Sequence, residues 1–108
     1  EVIKESIIQT HEIAIELTWK TVKCFALRVE PSGQISGSTT AIKHGLSTGV
    51  IKEEKIARTL LEAIQHHNLS SHEYLLLDGI DDYVNRIRNE FQPAMIAFLS
   101  DLITRVPN

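Results

Sequence analysis

Apolar and polar residues alternate with a two-residue beat from Glu12 to Lys43, and the beat lengthens to three and four residues between Lys52 and His67. In the first stretch Ile13, Ile15, Leu17 and Trp19 fall on one side of an extended chain, with Glu12, Ala14, Glu16 and Thr18 on the other. That pattern predicts a half-buried strand in which Trp19 continues the core face. In Thr21–Val29, Val22, Cys24 and Ala26 alternate with Phe25, Leu27 and Val29, so both faces are apolar and a central strand is expected. Pro31-Ser32-Gly33 supplies a turn, and Gln34–Lys43, rich in Ser and Thr, suits a third strand at the sheet edge. Ahead of these strands, Val2, Ile3, Ile7 and Ile8 have the spacing of a short amphipathic helix.

Gly45-Leu46-Ser47-Thr48-Gly49 breaks the third strand. Ile56, Leu60, Ala63, Ile64 and His67 then recur at helical spacing, with Glu53 and Glu54 at the start and His66 and His67 at the end, where each suits the helix dipole. The continuous run Tyr74–Asp78 predicts an interior strand. Asp81 or Asp82 can cap a helix beginning near Tyr83, with Val84, Ile87 and Phe91 inward. Pro93 kinks that helix or starts another, because it has no backbone N–H to donate. Met95, Ile96, Phe98, Leu99, Leu102, Ile103 and Val106 cover most of the surface of the last helix. The expectation is an α+β fold in a single domain, residues 1–108: three antiparallel strands, a crossover helix, a fourth strand and C-terminal helices.

At 108 residues and 43% hydrophobic content the chain supports one core. A net charge of −3, with basic residues scattered along the chain, argues against nucleic acid as a main partner. The single cysteine, Cys24, cannot form an intramolecular disulfide, and its apolar surroundings in sequence predict a buried thiol in a reducing, cytoplasmic setting. No apolar stretch approaches the ~18 residues of a membrane span. The chain starts at Glu1 and not Met, which suggests a processed chain or a piece of something larger.

Ile15-Glu16-Leu17-Thr18-Trp19-Lys20-Thr21-Val22-Lys23 resembles the first hairpin of actin-like ATPases, and Gly45 to Ala57 is similar to a glycine-flanked passage into a helix in bacterial cell-division and pilus-assembly actin homologues. The order of elements also resembles the ribonuclease-H-like fold. Glu16 stands at the family's aspartate position and Thr18 at its glycine position, so the nucleotide-binding motif is degenerate. The resemblance implies an alternative, enzymatic reading, a metal-dependent nuclease or phosphoryl-transfer domain. In it Glu16, Glu62 (or Glu54) and Asp78 would converge on two divalent ions. The competing reading makes all of these solvated carboxylates.

His66, His67 and His72 do not form a convincing metal set, since adjacent helical residues point about 100° apart. Gly45–Gly49 lacks the lysine and hydroxyl residue of a phosphate loop. The favoured expectation is therefore non-enzymatic, with no cofactor and no metal. It is a protein-interaction or assembly module that self-associates as a homo-oligomer, or joins a larger bacterial assembly, through Met95, Phe98, Leu99, Leu102 and Val106.

Overall fold

The structure, a computed structural model, describes residues 2–68 and 79–105. The described residues are helices, turns and irregular connections, with no strand among them. Helix α1 spans Val2–Val29, α2 Ser38–Ser47 and α3 Glu54–Asn68. Helix α4 (Ile80–Arg86) continues through a π-helical turn, Ile87–Phe91, into α5 (Gln92–Arg105).

The α+β expectation fails first in α1. Its buried residues are His11, Ile15, Thr18, Val22 and Ala26, spaced by four, three, four and four, which is a helical stripe. Two of those five positions are polar, so the stripe is faint. The alternation that suggested a strand was carried by Ile13 and Leu17, which are 62% and 61% exposed. Thr18 and Thr21 donate their hydroxyls to the carbonyls of Ala14 and Leu17 one turn back, at 2.7 and 2.8 Å, so β-branched residues sit in the helix with their polar atoms satisfied. Twenty-eight residues rising about 1.5 Å each give about 42 Å, and the molecule's long dimension is 42 Å.

The Ser- and Thr-rich segment expected as an edge strand becomes α2, with Ala41, Ile42 and Gly45 buried. Gly45 is where α2 comes closest to its neighbours. A methyl group there would overlap Val22 of α1 and press on Ile51 at 3.1 Å. Gly49, with φ of +83°, reverses the chain after α2 in a backbone region that favours glycine. With no sheet among the described residues, the ribonuclease-H-like order falls as well. The strand expected over Tyr74–Asp78 lies outside the described residues. Cys24 is exposed, not buried, because it falls off the α1 stripe.

Helix α3 forms where it was expected and buries Leu60, Ala63 and Ile64 of its predicted stripe; Ile56 is only partly buried, and Ala57, not expected on that face, joins the core. In α4 and the π turn, Val84, Ile87 and Phe91 point inward as expected. The π turn sits just ahead of Pro93, where Gln92 N–H bonds to the carbonyl of Ile87 five residues back. The wider turn accommodates a proline that would clash with a normal helical carbonyl four residues earlier.

The rod from α4 to α5 runs alongside α1 in the same direction. Lys4 pairs with Asp81 at one end, and Phe25 and Arg105 border one recess at the other. Helix α3 runs the opposite way, its last turns against Arg86, while Arg105 grips the Gly49 and Val50 carbonyls ahead of its start at 3.0 and 2.5 Å. One cluster of buried side chains, with Ile15, Ile42, Leu60, Ile64, Phe91 and Phe98 at 2% exposure or less, joins the elements.

Candidate functional site

Two arginines, Arg86 at the end of α4 and Arg88 in the π turn, stand on different sides of one helical rod. Arg86 faces α3. Its Nη2 donates to Glu62 Oε2 at 2.5 Å, and its Nε and Nη2 donate to the two oxygens of Glu90 at 3.0 and 3.1 Å. Its Nη1 lies 2.6 Å from His66 Nε2. Guanidinium has no acceptor, so this contact requires a lone pair on Nε2 and puts the proton of neutral His66 on Nδ1. The guanidinium carbon also lies 4.9 Å from the centre of the Phe91 ring.

The electrostatics follow from this crowding. Partial burial, then the Arg86 charge, lowers the pKa of His66 below its ordinary 6.5, while Asp82, Glu62 and Glu90 pull the other way. The Arg86 hydrogen bonds hold the Glu90 carboxyl below the usual range. The same bonds, that to Glu90 first, raise the pKa of Arg86 further. The ring of His66 stacks on Tyr83 at 5.7 Å, and His11, 3% exposed, stacks on Phe91 at 5.6 Å and meets Tyr83 edge-on at 5.8 Å. This is an aromatic and imidazole layer through the middle of the bundle.

On the far side of that layer, His11 is part of the wall of an open recess of about 550 Å³ between α1 and the π turn. Ile3, Ile7, Ile87 and Met95 make its apolar wall, and Arg88 and Gln92 stand at its edge. Among the described residues no Asp or Glu lines it. A second recess, between Leu17 of α1 and Ile96 and Leu99 of α5, shares Ala14, Gln92 and Met95 with the first, so the two form one groove.

The residues singled out from sequence are distributed otherwise. Glu16 is exposed on α1 and pairs with Lys20 at 3.0 Å, Glu54 pairs with Arg58 at 2.8 Å, and Glu62 belongs to Arg86. Among the described residues no group of three or more His, Cys, Asp or Glu side chains could hold a metal. Asp78 lies outside those residues. Of the five residues assigned to self-association, Met95, Phe98 and Leu102 pack into the chain's own core, Leu99 is 38% exposed, and Val106 lies outside the described residues. The outer apolar face of α5 is made by Ile96, Leu99 and Ile103. Trp19 is partly buried against the core, as its reading anticipated. His11, Arg86 and Arg88 were not anticipated. The four-residue spacing of Arg86 and Glu90 was the one signal for the network.

Comparison with known protein families matches residues 1–104 to the family described as nucleotidyltransferase substrate binding protein like. No curated protein and no solved structure matches. The match spans nearly the whole chain, so it replaces the resemblance to actin-like and ribonuclease-H-like proteins, whose first motif, Ile15 to Lys23, was read as strands and is part of α1. The chain belongs to the nucleotidyltransferase substrate binding protein like family.

Proposed function

We propose, from that membership, that the chain is the non-catalytic, substrate-binding partner of a nucleotidyltransferase. The observation that carries this reading is the family match across residues 1–104. The groove between α1 and α5 supports it physically, because it offers a recess large enough for a small molecule beside exposed apolar side chains of α5. The arrangement of carboxylates gives the nuclease alternative no support: Glu16 and Glu62 are each engaged by a cation of their own.

The surface assigned to the partner is the exposed stripe of Ile96, Leu99 and Ile103 on α5, continued across the groove by Leu17 on α1. Large apolar side chains gathered at one seam mark an interaction site more than singly scattered ones do. A second copy of the chain is the competing occupant. The test is light scattering and titration calorimetry with a nucleotidyltransferase from the same organism. The chain should bind that enzyme and lower its KM for the acceptor substrate, and Leu99→Asp should abolish both effects while leaving the fold intact. A complex that forms equally well with Leu99→Asp, or no complex at all, would count against the assignment. A homodimer lost on the same substitution would give the stripe to self-association.

A further inference from the structure

We propose that the recess between α1 and the π turn binds a small molecule with an apolar body and a single anionic group, a carboxylate, phosphate or sulfonate, and that Arg88 receives the anion. This deepens the substrate-binding reading above and rests on it for any link to nucleotidyl transfer, but the binding itself can be tested without a partner.

Three observations support the site. The recess, about 550 Å³, is lined mainly by aliphatic side chains, with Ile87 and Met95 nearly inaccessible at its base and Ile3 exposed at its mouth. That size falls within the range for drug-sized ligands. The second observation is charge. The chain carries a net charge of −3, yet among the described residues no carboxylate lines this recess, and the permanent charge in that lining is Arg88. The third is the contrast with the other arginines. Arg58, Arg86 and Arg105 are each held by a carboxylate, and Arg28 lies over the Phe25 ring at 4.8 Å. Arg88 makes no ion pair among the described residues. Its planar fork therefore remains available to an incoming anion.

The polar groups around the mouth fit the same ligand. Gln92, Ser6 and Thr10 add amide and hydroxyl groups to the lining, and the apolar wall would take the body. The recess opens into the part of the groove assigned to the protein partner, sharing Ala14 and Met95 with it. A ligand seated there would lie against whatever covers that face.

The experiment uses the full chain and two fluorescent probes of nearly one shape, anilinonaphthalene sulfonate and its uncharged parent phenylnaphthylamine. Near-UV circular dichroism establishes that the fold is native while they are titrated, since loosely packed states also take up the sulfonate. The sulfonate is expected to bind saturably and about tenfold more tightly than the parent, the scale of one charge-assisted contact. Arg88→Gln should bring the sulfonate down to the parent's affinity and leave the parent's unchanged. Arg28→Gln, which removes the same charge from a different recess, should change neither.

Equal affinities for the two probes, an unaltered sulfonate affinity in Arg88→Gln, or an equal loss in Arg28→Gln would overturn the proposal. Co-sedimentation with phosphatidylglycerol vesicles would overturn it too, by making the anion part of a lipid surface. Failure here leaves association with a nucleotidyltransferase standing, and failure of that association leaves the probe result standing.

Discussion

The two sides of the π turn answer the same problem, an arginine on a helix, in opposite ways. Toward α3, Arg86 is enclosed by Glu62, Glu90 and His66 and backed by Phe91. Toward α1, Arg88 two residues later stands at the edge of an apolar recess with no carboxylate among the described residues of its lining. An arginine whose donors are satisfied internally adds rigidity and has little left to offer a ligand. One left at the mouth of a groove adds little to stability and keeps its donors for recognition. The difference separates the part of this helix that holds the bundle together from the part that can bind.

The largest expected effect comes from removing what the closed side is built on. Phe91 is fully buried and contacts the rings of His11 and His66 as well as Arg86. Phe91→Ala should cost about 3–5 kcal/mol in urea unfolding. A loss under about 1 kcal/mol would mean that the aromatic layer is not the keystone of that side. Arg86→Ala should follow at about 1–2 kcal/mol, the scale of charge-assisted bonds discounted for partial exposure. Arg86→Lys should recover only part of this, because an ammonium cannot span Glu62 and Glu90 with a planar fork. Equal stability of the lysine variant and the parent would show that charge alone suffices.

The pH dependence sharpens the same contrast. Since His66 has a lowered pKa in the folded chain, the unfolded chain takes up its proton first as pH falls below about 6.5. Stability is therefore full above that value and declines as pH drops through the folded pKa. The lowered pKa of Glu90 adds a second decline that begins below its ordinary 4.5. Denaturation midpoints measured across this range should show both steps, and His66→Gln should remove the upper one. The smallest effect belongs to the open side. Arg88→Gln should change stability by less than about 0.5 kcal/mol, as exposed substitutions do. A larger loss would mean that Arg88 is structural and would dissolve the comparison.

How much of this could be read along the chain depended on whether a helix carried its own pattern. Helix α3 did, because Leu60, Ala63 and Ile64 face inward while Glu54 and Arg58 face outward as an ion pair. Helix α1 did not. Its stripe includes His11 and Thr18, and its most visible apolar residues, Ile13 and Leu17, lie off it and are exposed, Leu17 beside the groove. A helix that presents apolar residues both to its core and to a possible partner loses its periodicity, and alternation emerges by default. In α2 tertiary packing through Ala41, Ile42 and Gly45 overrode the strand preference of the threonines. The site was less legible than the fold. Glu62 was noticed as a carboxylate, but its partner Arg86 is 24 residues away, a pairing that only the packing of α3 against the π turn creates.

The π turn has one further consequence. Its bond from Gln92 to Ile87 closes over one more residue than an ordinary helical bond, so the winding loosens where Pro93 needs room. The buried positions still step by threes and fours across it, from Val84, Ile87 and Phe91 to Met95, Phe98 and Leu102, while Ile96 and Leu99 meet the groove. The rod thus absorbs a helix-breaking residue in mid-course without surrendering the register of its inner face.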